Sequence, residues 1–237
     1  MQLDFERMAP ATCFEFLTGT IVPRPIAVVT TLAADGTPNA APYSFFNIMG
    51  NDPPVVAIGV LAHPEGRFKD TALNILATDE FVVNLVSEAL AEAMNITCID
   101  APPGVDELKL ARLESAASVK VKPPRIASSP VAFECRTHAS LSLGRNQSIV
   151  IGRILQAHVA DEFVLDARHG IVNTPKMNLI GGMHGAKWYA KTSDRFEMER
   201  PSWADWIKQG KVQSPQALTD TSDRAPAARS TRPAGHE

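Results

Sequence analysis

Long hydrophobic runs, paired cysteines and a strong excess of charge are all missing from this chain of 237 residues. The longest apolar stretches fall far short of the roughly 20 residues that a membrane-spanning helix requires. The N-terminus lacks the basic start and apolar run of a signal peptide. Three cysteines at wide spacing fit neither a disulfide framework nor a thiolate zinc site. We therefore expect a cytoplasmic protein without a membrane span.

The charge balance argues against two classes of partner. The formal net charge is −3 and the isoelectric point is near 6.1, so no basic field attracts nucleic acid or an anionic membrane. With 45% hydrophobic residues, the chain can bury a sizeable core. We expect no nucleic-acid partner and no membrane partner.

Several common catalytic motifs are also missing. The chain has no G-x-G-x-x-G before a helix, no G-x-x-x-x-G-K-[ST] loop, no H-E-x-x-H, no C-x-x-C and no G-x-S-x-G. Its six histidines are scattered without metal-ligand spacing, so we predict no metal site. Such a chain is either a binding protein or an enzyme whose cofactor does the chemistry.

The residues that are present indicate a mainly β protein. Residues 26–32 are apolar and β-branched, and the Asp35-Gly36 pair that follows predicts a hairpin turn. Further strands are predicted over 39–46, 55–60, 80–86, 131–138, 149–161 and 163–165, and short helices over 67–76, 88–95 and 106–113. This order favours an antiparallel barrel with a few short helices over an alternating βαβ fold.

The composition changes near the C-terminus. Residues 211–237 consist largely of Ser, Thr, Pro, Ala and charged residues, with almost nothing to bury. We therefore predict one domain over residues 1–210 and a disordered tail over residues 211–237.

The predicted helix start at Lys69-Asp70-Thr71 is a candidate phosphate site. A helix N-terminus has unpaired backbone N–H groups and the positive end of the helix dipole, and Lys69 adds a full charge. Residues 39–47 and the Thr30-Thr31 pair offer hydroxyl and backbone donors nearby. Each feature also has a structural explanation: a capped helix end, β-propensity, or aromatic residues in the core. No single one of them decides the function.

Taken together, these segments resemble the flavin reductase-like family of FMN-binding split β-barrels, which are antiparallel with a Greek-key order. The resemblance covers about residues 10–200. It is carried by the stretches 23–60, 66–95 and 121–136, and more weakly by 152–161 and 181–190. The S-F-F-N and K-D-T segments combined with the Asp-Gly hairpin make it specific.

The resemblance implies FMN as cofactor, NADH or NADPH as co-substrate, and a homodimer with FMN near the subunit interface. It places Thr30 and Thr31 beside the ring system, Ser44, Phe45, Phe46 and Asn47 around the ribityl-phosphate, and Lys69, Asp70 and Thr71 at the phosphate. At Asp70 we expect the backbone N–H and not the carboxylate to face the anion. Arg24 and His184 are further candidates, His184 either covering the flavin from the partner subunit or lying in a surface loop. Leu73 occupies a position where relatives commonly have an arginine, which puts one phosphate contact in doubt.

The implied activity is that of an NAD(P)H:FMN oxidoreductase, a flavin reductase that supplies reduced FMN to a separate oxygenase. No protein residue is expected to be catalytic, because FMN carries the hydride transfer. Three alternatives remain: an electron carrier similar to flavoredoxin with tightly bound FMN, an FMN-dependent enzyme acting directly on an organic substrate, and a structural or interaction module.

Overall fold

One antiparallel sheet of seven strands dominates the computed structural model, which describes residues 1–63, 65–144, 147–185 and 187–208. The chain divides into one compact unit, Met1–Asp194, and a second unit that begins at Arg195. The predicted tail over residues 211–237 lies outside the described residues. Among the described residues, no helix has both the length and the apolar character that crossing a membrane demands.

The strands and helices are short except for one long hairpin. The strands are β1 (Arg24–Pro25), β2 (Ala27–Leu32), β3 (Pro38–Tyr43), β4 (Phe46–Asn51), β5 (Pro54–Val60), β6 (Glu80–Leu85), β7 (Ser115–Ala116), β8 (Arg125–Ile126), β9 (Val131–Leu143), β10 (Gln147–Val159), β11 (Val164–Asp166), β12 (Ile171–Val172), β13 (Ile180–Gly182) and β14 (Tyr189–Lys191). The helices are α1 (Pro10–Thr20), α2 (Asp70–Thr78), α3 (Ala91–Ile96), α4 (Glu107–Leu110), α5 (Thr174–Met177) and α6 (Trp203–Lys208), with 3₁₀ turns at Glu88–Leu90 and Asp161–Phe163.

The two edge strands of the main sheet approach each other at one end. Its strand order is β3-β2-β6-β9-β10-β5-β4, so β3 and β4 are its two edges. Yet β3 ends at Tyr43 and β4 begins at Phe46, a span of at most about 10 Å because an extended residue advances about 3.5 Å. The end of β3 and the start of β4 therefore lie close together, and we call the link at Ser44 and Phe45 the seam of the split barrel. The predicted mainly β, split-barrel fold is confirmed.

The predicted hairpin is present between β2 and β3. Gly36 has φ of +85°, a conformation that glycine adopts without steric cost, and its N–H donates to the Ala33 carbonyl at 2.9 Å. The turn sets a register that places Thr31 opposite Asn39. Asn39 also donates hydrogen bonds to the hydroxyls of Thr31 and Thr71, and so connects this hairpin to the start of α2.

Two apolar clusters lie on the two faces of the sheet. The barrel interior is filled by side chains that include Val29, Ile58, Phe81 and Val83, all at most 2% exposed. On the outer face of β2, Val28 and Ile26 pack with Met94 of α3 and Leu108 of α4. Helices α3 and α4 therefore pack on the outer face, whereas Ala72 and Ile75 of α2 belong to the interior cluster.

The structure differs from the sequence-based prediction at several elements. The predicted strand over 39–46 is broken at Ser44 into β3 and β4, and the predicted helix over 67–76 begins only at Asp70. Helix α1 was not predicted, because its large apolar side chains, such as Phe14 and Phe16, stay partly exposed and follow no single face. Strand β9 extends five residues beyond the predicted end at residue 138.

Candidate functional site

A polar cavity of about 350 Å³ lies beside β3 and the start of α2. We use the name polar cavity for the space lined by Asn39, Ala40, Ala41, Pro42, Tyr43, Ala62, His63, Lys69, Asp70, Thr71, Thr97, Cys98, Ile99, Asp100, Ala101 and Glu107. It contains all three residues that the sequence assigns to a phosphate. It is within the size range of small-molecule sites, about 300–1,000 Å³.

A second, apolar cavity has a volume of about 450 Å³. We use the name apolar cavity for the space lined by Leu17, Ile21, Pro23, Arg24, Pro25, Ser44, Phe45, Phe46, Asn47, Met49, Ala57, Gly59, Leu61, Leu143, Gln147, Ser148 and Ile149. Consecutive residues of the chain line the two cavities, since Tyr43 lines the polar cavity and Ser44 lines the apolar cavity. The seam of the barrel is thus flanked by a polar space and an apolar one, which suits a ligand with an anionic end and a flat apolar end.

The start of α2 presents donors to the polar cavity. The Lys69 carbonyl accepts from the N–H groups of Ala72 and Leu73, at 2.9 and 3.1 Å. The N–H groups of Asp70 and Thr71 precede these bonds and have no acceptor within the helix. Lys69 itself has no carboxylate within ion-pairing distance among the described residues. The helix dipole and an unpaired ammonium group therefore favour an anion here.

Tyr43 supplies a second, independent sign of a ligand. Its side chain is 7% exposed and lines the polar cavity, yet its hydroxyl has no regular hydrogen bond among the described residues. Burial raises the pKa of Tyr43 to about 12, with the neighbouring Thr71 hydroxyl acting in the opposite direction. A buried hydroxyl without a partner is costly. A phosphate oxygen in the cavity would accept from it, so the residues present fit a flavin phosphate.

Acidic groups limit how much negative charge the cavity accepts. Glu107 is 7% exposed and its Oε2 accepts a hydrogen bond of 2.9 Å from the Ala40 N–H. Burial raises the pKa of Glu107, and the nearby Asp70 and Asp106 act in the same direction. Asp70 is paired with Arg67 at 3.6 Å, and Asp100 with His63 at 3.3 Å. The lining of the polar cavity therefore combines Lys69 with the acidic side chains of Asp70, Asp100 and Glu107.

Thr30 and Thr31 lie inside the protein. Both are 0% exposed. The Thr30 hydroxyl donates to the Pro124 carbonyl at 2.5 Å, and the Thr31 hydroxyl accepts from Asn74 at 2.9 Å and from Asn39 at 3.3 Å. Neither residue lines either cavity. Their predicted place beside a flavin ring stays a prediction, and the structure connects Thr31 to the site through Asn39 instead.

The four residues predicted around the ribityl-phosphate all line the apolar cavity. Phe46 is buried whereas Phe45 is partly exposed and Asn47 is exposed, in agreement with the expectation that at least one phenylalanine packs inside. Their backbone is restrained by a 2.7 Å hydrogen bond from the Gly59 N–H to the Phe45 carbonyl.

Arg24 organises the wall of the apolar cavity. Arg24 is 7% exposed, and its guanidinium donates to the carbonyls of Thr18, Ile21 and Met183 and to the Ser44 hydroxyl. Four hydrogen bonds to the protein leave little capacity for a ligand. Arg24 therefore joins α1, the seam and the segment after β13.

His184 lies in the exposed segment between β13 and β14. Its ring stacks on Trp188, with centroids 5.5 Å apart and planes inclined by 24°. Nearby, burial raises the pKa of Tyr189, Cys98 acts in the same direction and Arg24 opposes it. Tyr189 is therefore near both Cys98 of the polar cavity and Arg24 of the apolar cavity. Whether His184 covers a flavin stays a prediction.

Sequence reasoning missed most of the acidic and tyrosine groups of the site. Tyr43 belongs to the segment 39–47 that was singled out, but nothing in the sequence indicates that its hydroxyl is buried without a partner. Glu107 contacts Ala40 across 67 positions of sequence. No local pattern marks such a pair, so the sequence carries no signal for it.

The comparisons with known proteins agree with this architecture. The family described as flavin reductase like domain matches residues 19–174. The chain superposes on nitrilotriacetate monooxygenase component B from Bacillus cereus with a TM-score of 0.79 and 30% identity, covering 84% of this chain and 98% of that one. It is also similar to the 2-nitrobenzoate 2-nitroreductase of Pseudomonas fluorescens, with a TM-score of 0.78 and 32% identity over 86% of this chain and 98% of that one.

A third solved structure supports the fold alone. The split-barrel flavin reductase from Shewanella frigidimarina, named as putative in its description, aligns with a TM-score of 0.72 at 17% identity, over 85% of this chain and 100% of that one. The family match and the split-barrel fold together assign the chain to the flavin reductase-like class of oxidoreductases. The chain belongs to the flavin reductase like domain family.

Proposed function

We propose that this protein binds FMN at the seam of the barrel and reduces it with NADH or NADPH. One observation supports the proposal most directly. The unpartnered Tyr43 hydroxyl, the free N–H groups of α2 and the unpaired Lys69 all border the same polar cavity. Three donors without acceptors around one space are what a phosphate ester requires.

The residues of the two cavities would divide the cofactor between them. Lys69, the N–H groups of Asp70 and Thr71 and the Tyr43 hydroxyl would hold the phosphate. The segment from Ser44 to Asn47, which the resemblance places around the ribityl-phosphate, lines the apolar cavity and would border the ring system instead. The Ser44 hydroxyl is oriented by Arg24 at 3.3 Å. When bound, FMN supplies the hydride-accepting and hydride-donating chemistry. The protein needs no acid or base for that step and contributes by aligning the two rings in the apolar cavity.

A homodimer and a partner oxygenase belong to the same proposal. Strand β4 is an edge of the main sheet, and its side chains Ile48 and Met49 are 65% and 62% exposed. Leu141 and Leu143, at the tip of the β9–β10 hairpin, are also half exposed. A second copy of the chain would cover such apolar surface. The oxygenase is suggested by the similar protein that is a component of a nitrilotriacetate monooxygenase.

The first experiment is an absorbance spectrum of the freshly purified protein, followed by anaerobic titration with NADH and, in parallel, NADPH. We expect bound or readily acquired FMN with the visible bands of an oxidised flavin, which bleach on addition of one of the two nucleotides. Tight FMN with no bleaching would favour an electron carrier. A protein that is colourless and does not take up added FMN would contradict the proposal.

A charge variant tests the assigned phosphate site. In Lys69→Ala we expect FMN affinity to fall about tenfold to a hundredfold, the effect of losing one charge-assisted contact of about 1.5–3 kcal/mol. Riboflavin, which has no phosphate, should bind both proteins alike. Lys176→Ala is the matched control, because Lys176 pairs with Glu162 away from both cavities. If Lys69→Ala lost the same factor in affinity for FMN and for riboflavin, Lys69 would not contact the phosphate.

The apolar cavity favours a second candidate, direct reduction of an organic substrate. It is large, and most of its lining side chains are apolar. The similar protein from Pseudomonas fluorescens is a 2-nitrobenzoate 2-nitroreductase. The test is to incubate the FMN-loaded protein with NAD(P)H and 2-nitrobenzoate without any other protein. Consumption of the nitro compound would support this candidate, and reduction of free FMN alone would support the first.

A further inference from the structure

A third cavity has a volume of about 350 Å³ and shares only part of its lining with the proposed flavin site. We use the name core cavity for the space lined by Pro23, Pro25, Ile26, Phe46, Asn47, Ile48, Val56, Leu85, Val86, Phe133, Ile154, Leu179, Ile180, Gly181 and Thr192. Four of these residues, Pro23, Pro25, Phe46 and Asn47, also line the apolar cavity. The volume of the core cavity is within the range of about 300–1,000 Å³ that is typical of small-molecule sites.

Side chains of the barrel interior form much of this lining. Leu85, Phe133 and Ile154 pack against the cluster that fills the barrel, yet they are only partly buried. All three line the core cavity, which accounts for the surface that they leave uncovered. Removing such apolar surface from water is favourable. A ligand that covers these side chains therefore gains free energy of binding.

The lining of the core cavity offers no counter-ion. Among the described residues that line it, no side chain is charged, and the only polar side chains are those of Asn47 and Thr192. The Thr192 hydroxyl donates to the Leu179 carbonyl at 2.9 Å, and the Asn47 Oδ1 accepts from the Ile48 N–H at 2.8 Å. An ionised ligand would lose its hydration here without gaining a partner charge, which is costly. The lining therefore favours an uncharged ligand.

The size and the rings of the core cavity indicate the shape of this ligand. Four of its lining side chains are rings, those of Phe46, Phe133, Pro23 and Pro25. Aromatic rings pack favourably on one another in offset or edge-to-face arrangements. An engineered apolar cavity of about 150 Å³ in another protein binds benzene. A space of about 350 Å³ is therefore sufficient for a compound with two fused rings.

We propose that the core cavity is a binding site for an uncharged aromatic compound of one or two rings. The site does not depend on the proposed function, because neither Lys69 nor Tyr43, which border the assigned phosphate site, lines it. Phe46 and Asn47 line both the core cavity and the apolar cavity, so the two ligands would be neighbours.

The test titrates quinoline into the whole protein by isothermal calorimetry at two temperatures. Quinoline has two fused rings and is uncharged at neutral pH, and quinoline-3-carboxylate is the matched ligand with the same rings and a negative charge. We expect quinoline to bind with a negative change in heat capacity, which marks the burial of apolar surface. The carboxylate should bind at least about tenfold more weakly, because the lining has no counter-ion for it.

Variants of two residues locate the bound quinoline. Leu179 lines the core cavity but not the apolar cavity, and Met49 lines the apolar cavity but not the core cavity. Because Leu179 is only partly buried, Leu179→Trp can place its larger ring in the cavity, and it should weaken quinoline binding at least about tenfold. Met49→Trp should leave the affinity unchanged. Leu179→Asp, which adds a charge to the lining, should weaken binding similarly and provides a second variant if the first does not fold. Circular dichroism establishes that each variant is folded.

The outcomes are independent of FMN binding, which is measured separately. Loss of quinoline binding in the Leu179 variants, with none in Met49→Trp, supports the site. If Met49→Trp weakens binding and the Leu179 variants do not, quinoline occupies the apolar cavity and the inference is wrong. Equal affinities for quinoline and its carboxylate would contradict the uncharged class of ligand. If the wild type does not bind quinoline, the inference is also wrong, and dissociation of an oligomer in Leu179→Asp, measured by sedimentation equilibrium, would then identify a second copy of the chain as the occupant.

Discussion

The side-chain amide of Asn39 donates a hydrogen bond of 3.0 Å to the hydroxyl of Thr71, and so joins strand β3 to the first turn of α2. The same amide is 3.3 Å from the Thr31 hydroxyl, which also accepts from Asn74 at 2.9 Å. All four side chains are at most 9% exposed. The helix start that borders the polar cavity is therefore held from inside the barrel by a buried polar network.

This network predicts the behaviour of Thr31→Val. The variant removes the Thr31 acceptor of the Asn74 amide and leaves the Asn39 amide with Thr71 alone, so the free energy of unfolding should fall by about 1–3 kcal/mol. FMN affinity should fall as well, because Thr71 is less firmly held, while Thr31→Ser should restore both properties. Urea unfolding and FMN titration provide the measurements. A shifted visible flavin spectrum at unchanged affinity would instead favour a direct contact between Thr31 and the ring.

Tyr43→Phe should change stability and affinity in opposite directions. Removing a buried hydroxyl that has no partner should raise the free energy of unfolding of the flavin-free protein by about 1 kcal/mol. The same change removes a donor to the phosphate, so FMN should bind about tenfold more weakly. Because the pKa of Tyr43 is raised to about 12, its hydroxyl stays protonated and this loss should be constant between pH 6 and 9. Thermal unfolding measures the change in stability, and FMN titrations at pH 6 and pH 9 measure the change in affinity. If Tyr43→Phe were less stable than the wild type, the Tyr43 hydroxyl would have a hydrogen-bond partner in the flavin-free protein.

Gly59→Ala tests the wall of the apolar cavity. A Cβ at this position would lie 3.0 Å from the Phe45 Cβ, which is closer than normal packing allows, so Phe45 has to move. We expect a loss of about 1–3 kcal/mol in stability together with a change in the visible spectrum of bound flavin. Gly19→Ala is the control, because its Cβ would meet only His184 at an ordinary 4.0 Å. A stability loss with an unchanged spectrum would show that Phe45 lies away from the ring.

A buried carboxylate outside the site governs acid stability. Glu134 is 0% exposed and accepts hydrogen bonds from the N–H groups of Val119, Lys120 and Val121, with the His158 Nε2 at 2.5 Å. Burial acts to raise the pKa of Glu134, but these donors together hold it below its ordinary value. A depressed folded-state pKa stabilises the protein above the unfolded-state pKa of about 4.3 and loses that effect as the pH falls through the folded value.

Glu134→Gln should therefore lower the free energy of unfolding by about 3 kcal/mol at pH 7, because an amide group replaces an acceptor among donors. The difference in free energy of unfolding between this variant and the wild type should shrink as the pH is lowered below about 4, because the wild-type carboxylate then becomes protonated. Urea unfolding at a series of pH values measures it. Asp166→Asn, which removes an exposed carboxylate paired with His169, should change stability little at any of them. If the difference in free energy of unfolding between Glu134→Gln and the wild type did not depend on pH, the ionised carboxylate would not be the stabilising form.

Much of the fold was predictable because its signals are local. The apolar run of β2, the Asp-Gly turn after it and the helix that begins near Lys69 depend on residues a few positions apart. The same holds for Lys69, Asp70 and Thr71, which do border one cavity. The break of the predicted strand over 39–46 was not predictable, since Ser44 and Phe45 fit a strand as well as a seam.

The sequence by itself determined the strand and turn chemistry and the family to which the chain belongs, because alternation, turn residues and helix starts act over short distances. Only the tertiary structure decided that β3 and β4 meet as the two edges of one sheet, that the Thr31 hydroxyl faces Asn39 inside the barrel, and that Glu107 reaches Ala40. These relationships depend on register and on packing between distant segments, where many arrangements satisfy the local preferences and the burial of polar and apolar groups selects one.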